Sequence, residues 1–245
     1  MDAVIETRNL TKRFRDVMAV DGLDLSVTKG SVTALLGGNG AGKTTTLSML
    51  LGLLSPTSGS IRIFDEDFVA NRFPALGRMN FSSPYVDLPQ RLTVRENLTV
   101  YAKLYGISQT KPIVEKLAED LQLSEFIDRR VRRLSSGQKT RVSLAKAFVN
   151  EPDLLLLDEP TASLDPETAV WIREFLKSYC RRRQATILFA SHDMREVELL
   201  CDDVVLLRKG KLVERGAPEE LINRFGRKTL EDVFLEVARG GKKNP

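Results

Sequence analysis

A glycine-rich segment between a strand pattern and a helix pattern constrains this chain more than any other feature. The segment reads Gly37-Gly38-Asn39-Gly40-Ala41-Gly42-Lys43-Thr44. It follows the apolar residues 32–36 and precedes a helical pattern over residues 45–54, which is the strand–loop–helix order of a P-loop. The alternative, a glycine-rich turn with a chance lysine, does not account for this order.

The residue types in the segment predict a bound nucleoside triphosphate. Glycines let successive backbone N–H groups turn toward phosphate oxygens, and the helix that follows adds the positive end of its dipole. Lys43 is expected to reach the β- and γ-phosphates, and the Thr44 hydroxyl to ligate the Mg²⁺ that bridges them. The predicted phosphate cradle therefore runs from Gly37 to Thr45, which adds Thr45 to the segment above.

Length and composition place the chain among ordinary globular proteins. It has 245 residues, of which 42% are hydrophobic and 29% charged. No apolar run approaches the roughly 20 residues that cross a bilayer, and the acidic N-terminus has no apolar signal-peptide core. Cys180 and Cys201 are far apart in the sequence and not in metal-binding spacing, so we expect free thiols and a reducing compartment, which favours the cytoplasm.

The charge pattern leaves two interpretations of the basic residues open. The net charge is +4, and basic runs occur at residues 129–133, 181–183 and 241–243. Such runs are typical of surfaces that contact nucleic acid or anionic lipid headgroups. Solvated helix ends and loops explain them more simply, and no aromatic residues are interleaved to form a stacking surface. We therefore expect no nucleic-acid partner.

The hydrophobic periodicity predicts a single α/β domain over residues 1–245. Strand patterns lie in the first part, helical periodicity dominates from about residue 93 to 149, and strands and helices then alternate. We expect an α/β core with an antiparallel β portion over about 1–80 and 150–245, and a helical lobe over about 81–149. The predicted strands are 4–7, 23–27, 60–64, 154–157, 186–190 and 204–207, and the later helices are 167–179 and 194–201.

Two adjacent carboxylates follow the most apolar strand. Asp158 and Glu159 come directly after Leu154-Leu155-Leu156-Leu157, a run of the type found in buried parallel strands. Ligands bind at the carboxyl ends of such strands. We expect Asp158 to serve the outer shell of Mg²⁺ and Glu159 to polarise the water that attacks the γ-phosphate. An isolated Asp-Glu pair is often only a solvated loop start, but here it accompanies a P-loop.

About twenty residues upstream, Leu134-Ser135-Ser136-Gly137-Gln138 precedes a helical pattern. With this motif the chain resembles, over nearly its whole length, the nucleotide-binding subunit of ATP-binding-cassette (ABC) transporters, whose signature reads Leu-Ser-Gly-Gly-Gln. The resemblance implies ATP as ligand and a P-loop NTPase core with an antiparallel β subdomain and an inserted helical subdomain. It also implies that Ser135 covers the γ-phosphate held by a second copy of the chain. Ser136 replaces the first signature glycine, which is tolerable where φ is negative.

The resemblance assigns further residues, with two departures. Phe14 matches the aromatic that stacks on adenine, His192 the histidine that contacts the γ-phosphate, and Asp165 the acid of the loop that crosses the dimer interface, here Ala162-Ser163-Leu164-Asp165. Gly38 stands where the family usually has proline. Ser82 aligns with the family's coupling glutamine; it is too short to reach Mg²⁺ directly, so either a water completes the link or Ser82 is only a turn residue ahead of Pro84.

The end of the chain narrows the expected function. The segments 229–235 and 92–98 resemble type-2 ABC exporters. This resemblance implies an ATPase at the cytoplasmic face of a membrane that powers export through a separate transmembrane permease. The rival is a soluble ABC protein acting on ribosomes or DNA. Such proteins carry tandem cassettes, long coiled coils or zinc modules, and the sequence shows none of these features. A catalytically silent scaffold conflicts with the intact set of Lys43, Thr44, Asp158, Glu159 and His192.

Overall fold

The computed structural model describes residues 2–83, 87–161 and 164–239. The chain divides into two compact units, one formed by Met1–Ala75 with Thr186–Pro245 and the other by Leu76–Ala185. The second unit is wider than the helical lobe expected over residues 81–149, because strands on both sides of the helices cluster with them.

The first unit contains an antiparallel sheet built from the start of the chain. In chain order its first elements are β1 (Ala3–Phe14), β2 (Val17–Thr28), β3 (Val32–Leu36), α1 (Lys43–Leu50), β4 (Ser58–Ile63) and β5 (Glu66–Asp67). Four of these strands form a sheet in the order β2-β1-β4-β5, with antiparallel pairing throughout. These strands contain the predicted strands at residues 4–7 and 23–27 and that at 60–64 as far as Ile63, and buried side chains alternate along 23–27 and 60–63.

The rest of the first unit has α/β organisation. After Ala185 come β8 (Thr186–Ser191), α7 (Met194–Leu200), β9 (Asp203–Arg208), β10 (Lys211–Gly216), α8 (Pro218–Arg224) and α9 (Leu230–Arg239). Strand β3 lies between β8 and β9 and is parallel to both, and β10 pairs antiparallel with β9. Every residue of β3 and β8 is buried, as their continuous apolar sequences predict.

The second unit combines helices with two parallel strands. Helix α2 (Phe73–Arg78) contains the boundary between the units, which lies after Ala75. The elements that follow are β6 (Met79–Ser82), α3 (Val94–Leu104), α4 (Thr110–Asp120), α5 (Ser136–Ala147), β7 (Leu154–Asp158) and α6 (Pro166–Arg183). Strand β6 is parallel to β7. Rings of the C-terminal half of α6 pack edge-on against Phe148, whose centroid lies 5.0 Å from that of Phe175 and 4.6 Å from that of Tyr179.

Within the described residues, no helix is both long enough and apolar enough to span a bilayer.

One glycine fixes the register between two strands of the antiparallel sheet. Strand β1 bulges between Arg8 and Thr11, where Asn9 has a φ of 51°. Gly59 of β4 lies against this bulge with a φ of +88°, and a Cβ there would overlap the Asn9 carbonyl. The bulge can form only because β4 presents no side chain at this point.

We therefore expect Gly59→Ala to destabilise the protein by at least about 2 kcal/mol, from both the unfavourable φ and the overlap with backbone. The control is Gly77→Ala in α2, where a Cβ would meet no atom within 4 Å. Alanine at this helical position should be neutral or stabilising by up to about 1 kcal/mol. Urea unfolding of both variants tests the expectation, and equal midpoints would contradict it.

Candidate nucleotide-binding site

The glycine-rich loop lies between the buried strand β3 and helix α1, as the sequence predicts. Strand β3 ends at Leu36 and α1 begins at Lys43. Gly42 has a φ of +105°, and a Cβ there would lie 2.6 Å from the Ala19 carbonyl oxygen. A Cβ on Gly37 would lie 2.6 Å from the carbonyl oxygen of Leu207 in β9. The loop is therefore pressed against backbone on both sides, which only glycine permits.

The polar groups of the loop are arranged for an anion. Lys43 Nζ donates to the Gly37 carbonyl at 2.6 Å and to the Gly38 carbonyl at 3.3 Å, so the ammonium group lies over the loop. Gly38, Asn39, Gly40 and Thr44 are exposed, while Gly37, Ala41 and Gly42 are buried and Thr45 is half-buried. An exposed loop that precedes a helix N-terminus and lies under a cation has the features of a phosphate-binding loop.

Phe14, the predicted adenine contact, is the last residue of β1. Its side chain is 46% exposed, although large aromatic side chains usually bury most of their surface. Lys12 Nζ lies 5.1 Å from the ring centroid, a cation–π distance. An accessible ring face in the same unit as the loop suits stacking on a base.

His192 follows β8 and is exposed. A buried hydrogen-bond network holds the backbone on each side of it. Ser191 Oγ donates to Glu196 Oε2 at 3.1 Å and accepts from the Asp193 N–H at 3.1 Å, while the Asp193 carboxylate caps α7 by accepting from the N–H groups of Arg195 and Glu196. The sequence analysis did not single out Ser191, Asp193 or Glu196; the Asp-x-x-Glu order before a helix was the available signal.

In the second unit, the acidic pair lies at the carboxyl end of β7. Asp158 is the last residue of the strand and only 6% exposed. Glu159 is half-buried and has a φ of 50°, in the left-handed region. A non-glycine residue in this conformation costs of the order of 1 kcal/mol and is enriched at active sites. The two neighbouring carboxylates thus differ in backbone conformation and burial, which is compatible with the two roles predicted for them.

The signature motif forms the start of α5. Ser135 is the N-cap: its hydroxyl accepts from the Gln138 N–H at 3.2 Å, and Gln138 Oε1 accepts from the Ser135 N–H at 3.0 Å. Ser136 is the first helical residue and needs no positive φ, so it replaces glycine without backbone strain. Leu134 is buried and anchors the motif, while Gly137 lies in the first turn. The exposed Ser135 hydroxyl thus lies at a helix N-terminus, where anions bind.

Asp165 caps helix α6 at its N-terminus. Its carboxylate accepts from the Thr168 hydroxyl at 2.6 Å and from the Thr168 N–H at 3.0 Å, and these hydrogen bonds hold the pKa of Asp165 below its usual range. Its place in a dimer interface stays a prediction. Ala162 and Ser163 of the same predicted loop lie outside the described residues.

Ser82 contacts the signature helix. Its hydroxyl lies 2.9 Å from that of Ser143 in α5, and both side chains are buried. One residue before, the Phe81 carbonyl accepts a hydrogen bond from Lys146 Nζ, whose pKa burial lowers to about 8. Strand β6 is thus joined to α5 by consecutive polar contacts. A link from Ser82 to Mg²⁺ stays a prediction.

Two predicted magnesium contacts, one in each unit, have oxygen donors of the type that magnesium prefers. Among the described residues, no group of three or more His, Cys, Asp and Glu side chains lies close enough to hold a metal. Thr44 and Asp158 offer hard oxygen atoms, so the other ligands would be nucleotide oxygens and waters. Mg²⁺ is usually held in this way in phosphate-transfer sites, with few protein ligands.

Comparison with known proteins decides the family. Residues 20–162 match the family model of the ABC transporter. The chain is 42% identical over 222 residues to Nod factor export ATP-binding protein I of Burkholderia orbicola, covering 90% of this chain and 73% of that one. It is 39% identical over 231 residues to bacitracin transport ATP-binding protein BcrA of Bacillus licheniformis, covering 94% and 75%. The chain belongs to the ABC transporter family.

Solved structures place the whole chain in the ABC ATPase fold. An ATP-binding subunit of an ABC transporter superposes with a TM-score of 0.87 at 26% identity, covering 96% of this chain and 99% of that one. The protein cbiO1 of Clostridium perfringens superposes with a TM-score of 0.79 at 28% identity, covering 91% and 92%. The predicted class, a P-loop NTPase core with an antiparallel β portion and inserted helices, is confirmed.

The hydroxyl pair in this ABC ATPase yields a stability prediction. Ser82→Ala or Ser143→Ala alone leaves one buried hydroxyl without its partner, so each should cost about 1–3 kcal/mol. The double variant removes both groups and should cost less than the sum of the two single changes. Denaturant unfolding of the three variants and the wild type gives the coupling energy; strictly additive losses would show that the hydroxyls do not interact.

Proposed function

We propose that this ABC ATPase is the ATP-hydrolysing subunit of an exporter. The observation that carries the proposal is 42% identity over 90% of the chain to a Nod factor export protein. The match to a bacitracin transport protein over 94% of the chain supports the same function class. The alternative, an ABC protein acting on ribosomes or DNA, has no supporting observation.

Each step of ATP binding and hydrolysis is assigned to particular residues of the chain. The amides from Gly37 to Thr45 and the Lys43 ammonium hold the β- and γ-phosphates, and Phe14 stacks on the adenine. Glu159 polarises the attacking water, and His192 holds water and γ-phosphate in register. The left-handed backbone of Glu159 and the hydrogen-bonded segment around His192 support these roles, since each gives a defined backbone to the residue that carries the role.

Mg²⁺ would be held by the Thr44 hydroxyl and, through its outer shell, by the Asp158 carboxylate. When bound, the cation neutralises charge on the phosphate oxygens. Each donor has a fixed backbone within its own unit, because Thr44 lies in the first turn of α1 and Asp158 ends a buried strand.

A second copy of the chain would complete each site. Ser135 and Gln138 fix the N-terminus of α5, where Ser135 and Ser136 are exposed. The free amides at this N-terminus and the Ser135 hydroxyl would bind the γ-phosphate held by Lys43 of the other copy, with Asp165 near the dimer interface. ATP then joins the two copies, since it favours the paired state over the separate one.

We expect Glu159→Gln to keep ATP affinity and to lower hydrolysis by about 10²–10⁴, because the water loses its orienting carboxylate while the phosphate cradle is intact. With ATP and Mg²⁺ the variant should elute as a dimer in size-exclusion chromatography. The matched control is Glu151→Gln, which removes a carboxylate that pairs with Lys116 and Arg183 in the second unit. Near wild-type turnover in Glu159→Gln would contradict the assignment.

Exposed apolar side chains support a separate membrane partner. In the first unit, Leu53, Val69 and Phe73 are 75%, 57% and 75% exposed. The Arg72 guanidinium donates to the Gly52 carbonyl at 3.1 Å, which holds the segment at Leu53 beside the segment at Phe73.

In the second unit, three apolar residues near the end of α3 are also exposed: Val100, Leu104 and Tyr105. Clustered apolar exposure marks interaction sites, and we assign these faces to the permease at the cytoplasmic side of the membrane.

Phe73→Asp should abolish the stimulation of ATPase activity by the permease and leave the basal activity of the purified protein unchanged. A charge on this face opposes burial against an apolar partner surface. The control is Leu199→Asp on α7, which places the same charge at a side chain that is 56% exposed. The measurement is ATPase activity with and without the membrane protein encoded in the neighbouring reading frame. Full stimulation of Phe73→Asp would remove this face from the interface.

A further inference from the structure

Helix α9, at the end of the described chain, is amphipathic and held at both ends. Leu230 and Val233 are fully buried, and the helix packs against α7 and α8. The Leu230 N–H donates to Glu198 Oε1 of α7 at 2.5 Å, which satisfies one of the amides that a helix leaves free at its start. At the other end, Arg208 Nη1 donates to the Val237 carbonyl at 3.0 Å. The last carbonyls of a helix lack internal partners and favour a cation, so Arg208 caps α9.

One face of α9 lies opposite the phosphate loop. A cavity of about 170 Å³ separates them. The loop residues from Gly38 to Ala41 form one wall, and Phe234, Val237 and Ala238 of α9 form another. Residues 206–209 at the end of β9 complete the lining. Helix α9 and the loop thus line the same cavity and belong to the same unit.

The backbone that carries Arg208 touches the loop on both sides of that residue. Just before it, the Leu207 carbonyl oxygen occupies the space that a Gly37 side chain would need. Just after it, the Gly210 N–H donates to the Ala41 carbonyl at 3.1 Å. The contacts with Gly37 and Ala41 lie near the two ends of the loop. A shift of the Arg208 backbone therefore shifts the loop, because Leu207 and Gly210 contact the loop backbone directly.

We propose that α9 positions the phosphate-binding loop through Arg208, which is a positioning residue for ATP binding. The inference rests on the proposed role of the loop in ATP binding. Arg208 does not touch the nucleotide; it joins the carbonyl end of α9 to the turn that supports Gly37 and Ala41. Loop amides that are already fixed around a phosphate bind it with a smaller entropy loss than amides that must first be ordered. Phe234 contributes by lining the cavity on the helix side.

The test compares Arg208→Ala, Arg208→Lys and Phe234→Ala with the wild type in the full chain. Arg208→Ala should raise the Kd and KM for ATP by roughly fivefold to twentyfold, the range of a modest coupling between separate sites. Its kcat should change less than about twofold, since the hydrolytic residues are untouched. Arg208→Lys keeps a donor for the Val237 carbonyl and should restore most of the affinity. Phe234→Ala should change affinity in the same direction by a smaller factor.

The matched control is Arg215→Ala in β10. The Arg215 guanidinium pairs with Asp203 of β9 at 2.7 Å and donates to the Ser26 carbonyl of β2 at 2.7 Å. Neither Asp203 nor Ser26 belongs to the residues described above as contacting the phosphate loop. Arg215→Ala should lower the unfolding midpoint without changing the Kd for ATP. An unchanged Kd in Arg208→Ala, or an equal rise in Arg215→Ala, would overturn the inference. Failure of the wild type itself to bind ATP would instead overturn the proposed function.

Discussion

The contact between the phosphate loop and the backbone around it is the constraint on which the rest of the first unit depends. Gly37 and Gly42 lie where a side chain would collide with the Leu207 and Ala19 carbonyls. The Ala41 carbonyl accepts from Gly210, and the Gly210 carbonyl accepts from the Asp21 N–H. Strands β2, β9 and β10 thus meet at the loop. A loop supported in this way presents its amides without having to order them when the anion arrives.

A second set of contacts gives the signature helix its position. Helix α5 begins with a capping box that closes the Ser135 and Gln138 side chains onto backbone. Further along, Ser143 and Lys146 join it to β6, and Asn80 Nδ2 of that strand donates to Asn150 Oδ1 at 2.7 Å just beyond the helix. Buried polar contacts of this kind fix one arrangement of helix and strand, because any displacement leaves donors and acceptors unpaired. These contacts therefore fix the segment at Ser82 against the helix that begins at the signature.

The departure from the family pattern at Ser82 has a local physical explanation. A glutamine side chain is long enough to reach a metal, whereas the Ser82 hydroxyl ends at Ser143 and is buried. The shorter Ser82 side chain forms a hydrogen bond inside the unit in place of the longer reach that a glutamine would have. The replacement of proline by Gly38 is different in kind, since a Cβ there would meet no atom within 4 Å and no close packing compels glycine.

The sequence by itself determined the loop, the acidic pair, the signature and most strands, because each depends on local chemistry: glycine freedom, continuous apolar runs and capping residues that act within a few positions. That serine is tolerated at position 136 in place of glycine was also predictable, since the first residue of a helix needs only a negative φ. Only the tertiary structure decided which side chains support these motifs from a distance. Ser143 lies 61 residues from Ser82 and Val237 lies 29 residues from Arg208. No local pattern encodes such pairs, because they arise from how whole elements pack.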